Sequence, residues 1–197
     1  MPSSPTPQDP RRGASRRRSD DASIAATRLW LERAVIGLNL CPFAKAEYLN
    51  NRIRYRVSHA RTPRGLLRHL AAELRHLASV DPGRCETTLI IHPFVLQAFP
   101  DYNRFLNPAE ATLRRLGLEG TLQIASFHPQ YQFAGTGPDD ITNFTNRSPH
   151  PMLHLLRESS IERAMRGQEN SMQIIERNLA TLRRLGHPGW DQLGLPG

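Results

Sequence analysis

Hydrophobic residues recur along the chain with a helical period in some segments and a strand period in others. Apolar residues spaced three and four apart predict amphipathic helices, and Thr62 followed by Pro63 is a typical helix start. The predicted helices cover 22–37, 62–77, 107–116, 151–158 and 172–186.

Three further segments have the pattern of β-strands. Residues 52–57 alternate arginine with apolar side chains, which predicts a half-buried edge strand. Residues 87–91 end in a continuous apolar run, which predicts a central strand covered on both faces, and residues 121–127 form the third strand. Because helices and strands alternate, parallel strands with right-handed crossovers are favoured.

The sequence therefore predicts an α/β domain with a small, mainly parallel sheet of three strands or slightly more. Helices flank this sheet, and a helical C-terminal cap closes it. A ferredoxin-like α+β fold with a mixed sheet is the alternative. The domain is expected over residues 22–190, with a C-terminal tail at 191–197. Residues 1–21 contain almost no apolar side chains, so a disordered basic tail is predicted there.

Composition narrows the class of protein. The chain has 26 Lys and Arg against 18 Asp and Glu, a formal net charge of +8, and all but one of its cations are arginine. That bias is typical of GC-rich bacterial genomes. No apolar run reaches the roughly 18 residues of a membrane span. Two cysteines and the lack of a signal peptide favour a reducing cytoplasm.

Each predicted strand ends at a histidine, namely His59, His92 and His128. Parallel strands would align the three imidazoles along the carboxyl edge of the sheet, where open α/β folds bind ligands. With Asp140 or Cys41 they would suit Zn²⁺ or Fe²⁺. His92 and His128 alone would suit acid–base catalysis. The alternative is that these histidines only terminate strands.

Cys41 stands directly before Pro42, at the predicted start of a short helix that runs to Tyr48. The unpaired N–H groups and the dipole of a helix start favour a thiolate, so Cys41 is a candidate nucleophile. A buried, unreactive cysteine is the alternative. Cys85 lies beside a turn and is expected to be structural.

The segment 129–150 has neither a helical nor a strand period, and structureless segments of this length are usually functional. Asp140 would orient a histidine or bind metal. Asn143 and Asn146 would bind substrate, and Arg147 would hold a carboxylate or phosphate through two hydrogen bonds. The alternative is a compact loop whose Asp and Asn side chains satisfy its own turns.

His154 and Glu158 are four residues apart on a predicted helix and would share one face, with Arg157 beside them. His154 and Arg157 would then extend the substrate pocket. A surface ion pair is the alternative.

Two motifs stand out, Asn-Leu-Cys-Pro-Phe-Ala at 39–44 and Asn-Phe-Thr-Asn-Arg-Ser-Pro at 143–149. With these motifs the chain resembles, from about Ala22 to about Gly186, an uncharacterised bacterial family of domains of unknown function. The resemblance implies a bacterial, cytoplasmic domain, and it implies no activity, cofactor or functional residue.

From these residues we expect an enzyme that acts on a small polar or anionic metabolite. Its pocket would combine His, Cys, Asp and Arg at the carboxyl edge of the sheet, and hydrolysis or metal-assisted chemistry would follow. The first alternative is a nucleic-acid-binding protein that uses Arg52, Arg54, Arg56 and the basic tail. The second is an accessory or scaffold protein without chemistry.

Overall fold

The computed structural model describes residues 10–165 and 171–196. Within them the helices are α1 Pro10–Trp30, a π-helical segment Leu31–Ile36, α2 Ala44–Leu49, α3 Pro63–Ser79, α4 Phe99–Arg115, a 3₁₀ helix Ile141–Thr145, α5 Glu158–Met165 and α6 Ser171–Asp191. The strands are β1 Ile53–Val57, β2 Thr87–Ile91, β3 Leu122–Phe127 and β4 Met152–Arg157. The helical conformation of α6 is broken at Gly186, where φ is 63° and where the sequence predicts the helix to end.

The four strands form one sheet in the order β1-β2-β4-β3. β1 and β2 are parallel, whereas β4 is antiparallel to both of its neighbours. The mixture of helices with a single sheet agrees with the predicted α/β class. The prediction of a mainly parallel sheet is wrong, because β4, a fourth strand that the sequence pattern did not predict, inserts between β2 and β3 and runs antiparallel to both. β1 is an edge strand and β2 is buried along its whole length, as predicted.

The helix predicted over 151–158 is wrong, since residues 152–157 form β4. Met, Leu, Arg and Glu are good helix formers, but hydrogen bonding to a neighbouring strand on each side overrides that preference. His154 and Arg157 consequently point to opposite faces of the sheet. Glu158 begins α5, so these residues do not share the face of one helix.

Helices cover both faces of the sheet. On one face α3 and α4 pack over a core that includes Ile90, Leu153 and Leu155. On the other face α1, the π-helical segment and α2 pack over Leu89 and Met152. Alternation along each strand supplies both cores from the same sheet. None of the described helices has the length and apolar character needed to cross a bilayer.

Both predicted tails are partly structured. Residues 10–21 form the first half of α1, and Asp20 pairs with His59 at 3.0 Å between Oδ1 and Nε2. At the other end, the carbonyl of Leu193 accepts a hydrogen bond of 2.7 Å from Arg33, and Leu195 packs on the second core. Residues 1–9 and 197 lie outside the described residues.

α4 begins earlier than predicted. Its first turn contains Pro100, and Pro108, taken from the sequence as the first-turn proline, lies inside the helix. The helix starts after Ala98, whose side chain forms no capping hydrogen bond, so the first-turn proline of the predicted start at Asn107 has a counterpart at the observed start but its capping side chain does not.

Arg157 ties the central strand to the end of α3. Its side chain is buried, and Nη2 donates to the carbonyls of Leu77 at 2.7 Å, Val80 at 2.8 Å and Cys85 at 3.2 Å. A cation at the C-terminal end of a helix is also favoured by the helix dipole. The structure therefore gives Arg157 contacts with the backbone, in place of the predicted place in a substrate pocket.

Tyr102 of α4 joins β3 to β4 where β3 ends and β4 begins. Its hydroxyl donates to the carbonyl of Met152 at 2.6 Å and accepts from the N–H of Phe127 at 3.1 Å. His92 and His128 each pack against its ring, at centroid distances of 5.7 and 5.0 Å. Both histidines therefore lie on the α4 face of the sheet.

Replacing Arg157 by methionine should lower the free energy of unfolding by about 3 kcal/mol, because buried carbonyls lose their donor. Denaturant unfolding measures this loss. Arg104→Met is the matched control, since the Arg104 side chain is 74% exposed and pairs with exposed Asp101. That control should change stability by less than about 1 kcal/mol. Equal effects of the two variants would contradict the assigned role of Arg157.

Lowering the pH should destabilise the fold because the buried imidazole of His92 resists protonation. Burial lowers the pKa of His92 to about 4, from an ordinary value of 6.5. As the pH falls through this interval the unfolded chain binds a proton that the folded protein excludes, so the free energy of unfolding decreases. His92→Gln should remove about 3 kcal/mol of that pH dependence, measured by urea unfolding between pH 7 and about pH 4. An acid limb of equal steepness in both proteins would contradict burial of a neutral imidazole.

Candidate functional site

A narrow cavity lies between the sheet and the helices of the second face. Its volume is about 50 Å³. Most of its lining is apolar, and four residues with polar or ionisable groups face it: Cys41, Glu47, Thr87 and His154. The apolar lining comprises Trp30, Leu31, Val35, Phe43, Ala44, Ile53, Leu89 and Phe127. We call this space the cysteine cavity.

His154 lies in the middle of β4, paired with Leu89 of β2 and Ala125 of β3. Its Nε2 is 2.7 Å from the hydroxyl oxygen of Thr87, and that hydroxyl donates its proton to the carbonyl of Leu155 at 2.6 Å. Nε2–H must therefore donate to Thr87, which leaves the lone pair on Nδ1. Burial lowers the pKa of His154 to about 4. The ring is accordingly a neutral base with a fixed tautomer.

Cys41 lies in the turn between the π-helical segment and α2. Asn39 adopts a positive φ of 54°, and Leu40 donates its N–H back to the carbonyl of Val35 at 2.8 Å. This turn brings Cys41 to the cavity, as its place among the lining residues shows. Burial raises the pKa of the Cys41 thiol, and the N–H groups of Phe43 and Ala44 oppose that rise. The predicted helix-start location is close to correct, but the resting group is a thiol.

Glu47 closes the cavity near the start of β1. Its carboxylate is buried and pairs with Arg52, with 2.8 Å between Oε2 and Nε. Burial raises the pKa of Glu47, and Arg52 opposes that rise. The cavity therefore contains a thiol, an imidazole and a carboxylate whose charge is balanced by one guanidinium.

The three strand-end histidines lie outside the cysteine cavity, and each has its own contacts. His59 pairs with Asp20 and stacks on Phe94, with 5.7 Å between ring centroids. The Nδ1 of His92 lies 3.1 Å from the carbonyl of Val95, and its Nε2 is buried with no partner among the described residues. The strands β1, β2 and β3 run in the same direction, so the three histidines that follow them do share one edge of the sheet. However, β4 lies between the strands that precede His92 and His128.

Both ring nitrogens of His128 form hydrogen bonds. Nδ1 accepts from the N–H of Gln130 at 3.0 Å, so Nε2 donates to the carbonyl of Leu96 at 3.2 Å. Burial lowers its pKa, so the ring is neutral. His128 thus ties two loops together and has no free lone pair for the predicted base or ligand role.

The predicted metal ligands are His59, His92, His128 and Asp140. Over residues 10–165 and 171–196, no three His, Cys, Asp or Glu side chains come together as ligands for a metal ion. The insertion of β4 explains why the strand-end histidines do not form a metal site. It places β3, which ends near His128, two strands away from β2, which ends near His92.

The polar residues of the long loop bind the loop itself and, through Asn146, the end of β3. Asp140 caps the 3₁₀ helix, where its Oδ1 accepts from the N–H of Thr142 at 2.8 Å. Asn143 is buried and binds three loop groups, among them the N–H of Phe133 at 2.9 Å. Asn146 donates to the carbonyl of Ser126 at 3.0 Å. These contacts are typical of a compact loop whose polar side chains form hydrogen bonds mainly with nearby backbone groups.

The arginine row of β1 is paired with acidic groups. Arg54 and Arg56 bind the two carboxylate oxygens of Glu73 at 2.9 and 3.1 Å, and Arg52 binds Glu47. These pairs neutralise part of the charge that a nucleic-acid surface would offer to phosphates.

Thr87 and Glu47 line the cavity but are not among the site residues predicted from the sequence. Thr87 is a polar residue at the start of a strand whose remaining side chains are buried, and such a residue needs a partner. Glu47 is an acid on the short helix that follows Cys41. The pairing of His154 with Thr87 depends on β4 being a strand, and no local pattern predicts that.

A family model described as "Protein of unknown function (DUF1415)" matches residues 22–192. This span contains Cys41, Glu47, Thr87 and His154. Comparisons with curated proteins and with solved structures give no match. Because the family model covers most of the chain, the protein belongs to the DUF1415 family of proteins of unknown function.

Proposed function

We propose that this protein is an enzyme that uses Cys41 as a nucleophile and His154 as a general base to hydrolyse or transfer a short acyl group. The observation that carries the proposal is that the thiol and a fixed, neutral imidazole line one apolar cavity. A nucleophile, a base and a third group that orients the base are the elements of covalent catalysis, and Thr87 is the third group.

The electrostatics of the cavity support the following first chemical step. As the sulfur of Cys41 attacks the acyl carbon, its proton passes to Nδ1 of His154. Burial disfavours the resulting imidazolium, so the proton moves on to the leaving group as the bond to that group breaks. The product is a thioester on Cys41. Water activated by the same imidazole then releases the acid and restores the thiol.

The size and lining of the cavity favour a short, apolar acyl group. About 50 Å³ accommodates roughly three or four water-sized groups, which corresponds to a short chain. Such a chain is bound by apolar contacts with Leu31, Val35 and Leu89. The proposal therefore keeps the predicted hydrolase but moves its site from the carboxyl edge of the sheet to its α1 face.

Alkylation should identify Cys41 as the reactive thiol. Iodoacetamide should modify Cys41 and spare Cys85, which is buried and lies 3.6 Å from the carbonyl of Thr87. Because burial raises the pKa of Cys41, the rate should rise with pH beyond the range of an ordinary thiol. His154→Gln should lower the rate at neutral pH at least about tenfold, and this difference should vanish in strong base. Mass spectrometry of timed samples measures both sites.

The control for this experiment is Cys85→Ala, which should react as the unchanged protein does. Preferential modification of Cys85, or an equal rate at neutral pH with and without His154, would contradict the proposed pair.

Ester cleavage should depend on acyl length. 4-Nitrophenyl acetate and butyrate should give a burst of nitrophenolate equal to the enzyme concentration, followed by slow turnover, while the octanoate ester should give none. Cys41→Ala should abolish the burst and Cys85→Ala should keep it. Stopped-flow absorbance and intact mass, which detects the acyl-enzyme, are the measurements. A burst that survives Cys41→Ala would contradict the assignment.

A further inference from the structure

A second recess lies beyond Trp30, whose side chain lines both this recess and the cysteine cavity. Its volume is about 190 Å³, and Phe144, Arg147 and Trp190 contribute to its walls. We call it the outer groove. Phe144 and Trp190 are half-buried, so their rings remain partly open to solvent.

The aromatic walls have a defined geometry. Phe144 meets Trp190 edge to face at a centroid distance of 4.9 Å, and Trp30 meets Phe127 of the cysteine cavity at 5.2 Å. The 3₁₀ helix that carries Phe144 packs against α6, which carries Trp190. The walls are therefore held by the fold, and they suit a planar group that stacks on aromatic rings.

Arg147 provides the charge of the outer groove. Its guanidinium carbon lies 4.2 Å from the centroid of Phe144. Nε donates to the carbonyl of Tyr131 at 3.3 Å and Nη2 donates to the carbonyl of Pro138, whereas Nη1 has no hydrogen-bond partner among the described residues. The two loop carbonyls fix the guanidinium, and its remaining donors suit a carboxylate.

We propose that the outer groove binds the second part of the substrate, a single planar ring that carries a carboxylate. This inference rests on the proposed function, because the acyl group attached to that ring would reach Cys41 past the indole of Trp30. The groove is smaller than the roughly 300 Å³ of drug-sized pockets, which suits one ring. The predicted carboxylate clamp at Arg147 thus enters the proposal together with an aromatic partner.

Benzoate is the probe for the groove, with benzamide and acetate as controls that lack the charge or the ring. The two tryptophans of the chain both line this groove, so benzoate should change the intrinsic fluorescence in a saturable way. Neither control should do so at the same concentration. The titration is made on Cys41→Ala as well as on the unchanged protein, so binding is read without the chemistry of the cysteine.

Substitutions assign the binding to its residues. Arg147→Gln should weaken benzoate at least about tenfold, which corresponds to one lost charge-assisted interaction. The exposed carboxylate of Asp139 interacts electrostatically with Arg147 and would repel a bound carboxylate. Asp139→Asn should therefore strengthen benzoate binding. Arg84→Gln, an exposed arginine in a different cleft, is the matched control. Because Arg147 also binds loop carbonyls, Phe144→Leu is the second variant, and it should weaken benzoate with Arg147 intact.

The link to Cys41 is tested with N-(4-carboxyphenyl)iodoacetamide. It should label Cys41 at least about tenfold faster than N-phenyliodoacetamide, with saturation, and Arg147→Gln should remove the difference. Equal rates, or benzoate binding unaffected by Arg147→Gln and Phe144→Leu, would overturn the inference while leaving ester cleavage intact. Benzoate binding without reactivity at Cys41 would instead overturn the proposed function.

Discussion

A strand at the centre of a covered sheet can carry a polar side chain only where that side chain finds a partner, and β4 carries two. Arg157 finds backbone carbonyls at the end of α3, and His154 finds the hydroxyl of Thr87. Leaving either unpaired would cost several kcal/mol. The hydrogen bonds of Arg157 hold α3 to one face of the sheet. The hydrogen bond between His154 and Thr87 fixes an imidazole on the other face. The fold and the candidate site therefore depend on the same strand.

The cysteine cavity brings a protonated thiol and a neutral imidazole to one largely apolar lining. Burial keeps His154 neutral and Cys41 a thiol, so neither group carries a charge that the apolar lining would have to solvate. A proton transfer between them would create charge only when a substrate develops charge at the same place. Thr87 makes this arrangement directional, because its single proton is committed to the carbonyl of Leu155.

Much of the fold follows from local sequence, while the site follows from contacts between distant segments. Thr62 caps α3 as predicted, and its side chain accepts from the N–H of Gly65. The helix-forming composition of 152–157 concealed β4, and with it the partner of His154. The strand-end histidines share one edge of the sheet, but β4 lies between His92 and His128, and both of these rings pack on Tyr102. His59 instead pairs with Asp20. Cys41 is recognisable from its place before Pro42, whereas its pKa depends on burial that no local pattern shows.

The proposed role of His154 as a neutral base can be tested by measuring the protonation state of its imidazole. Nitrogen-15 NMR of imidazole-labelled protein distinguishes the two ring nitrogens and follows their titration. We expect a neutral ring with the proton on Nε2 down to about pH 5, and a change in the Nδ1 resonance when Cys41 is methylthiolated. A ring that titrates near its ordinary pKa of 6.5, or that does not respond to modification of Cys41, would contradict the proposed action of His154 on Cys41.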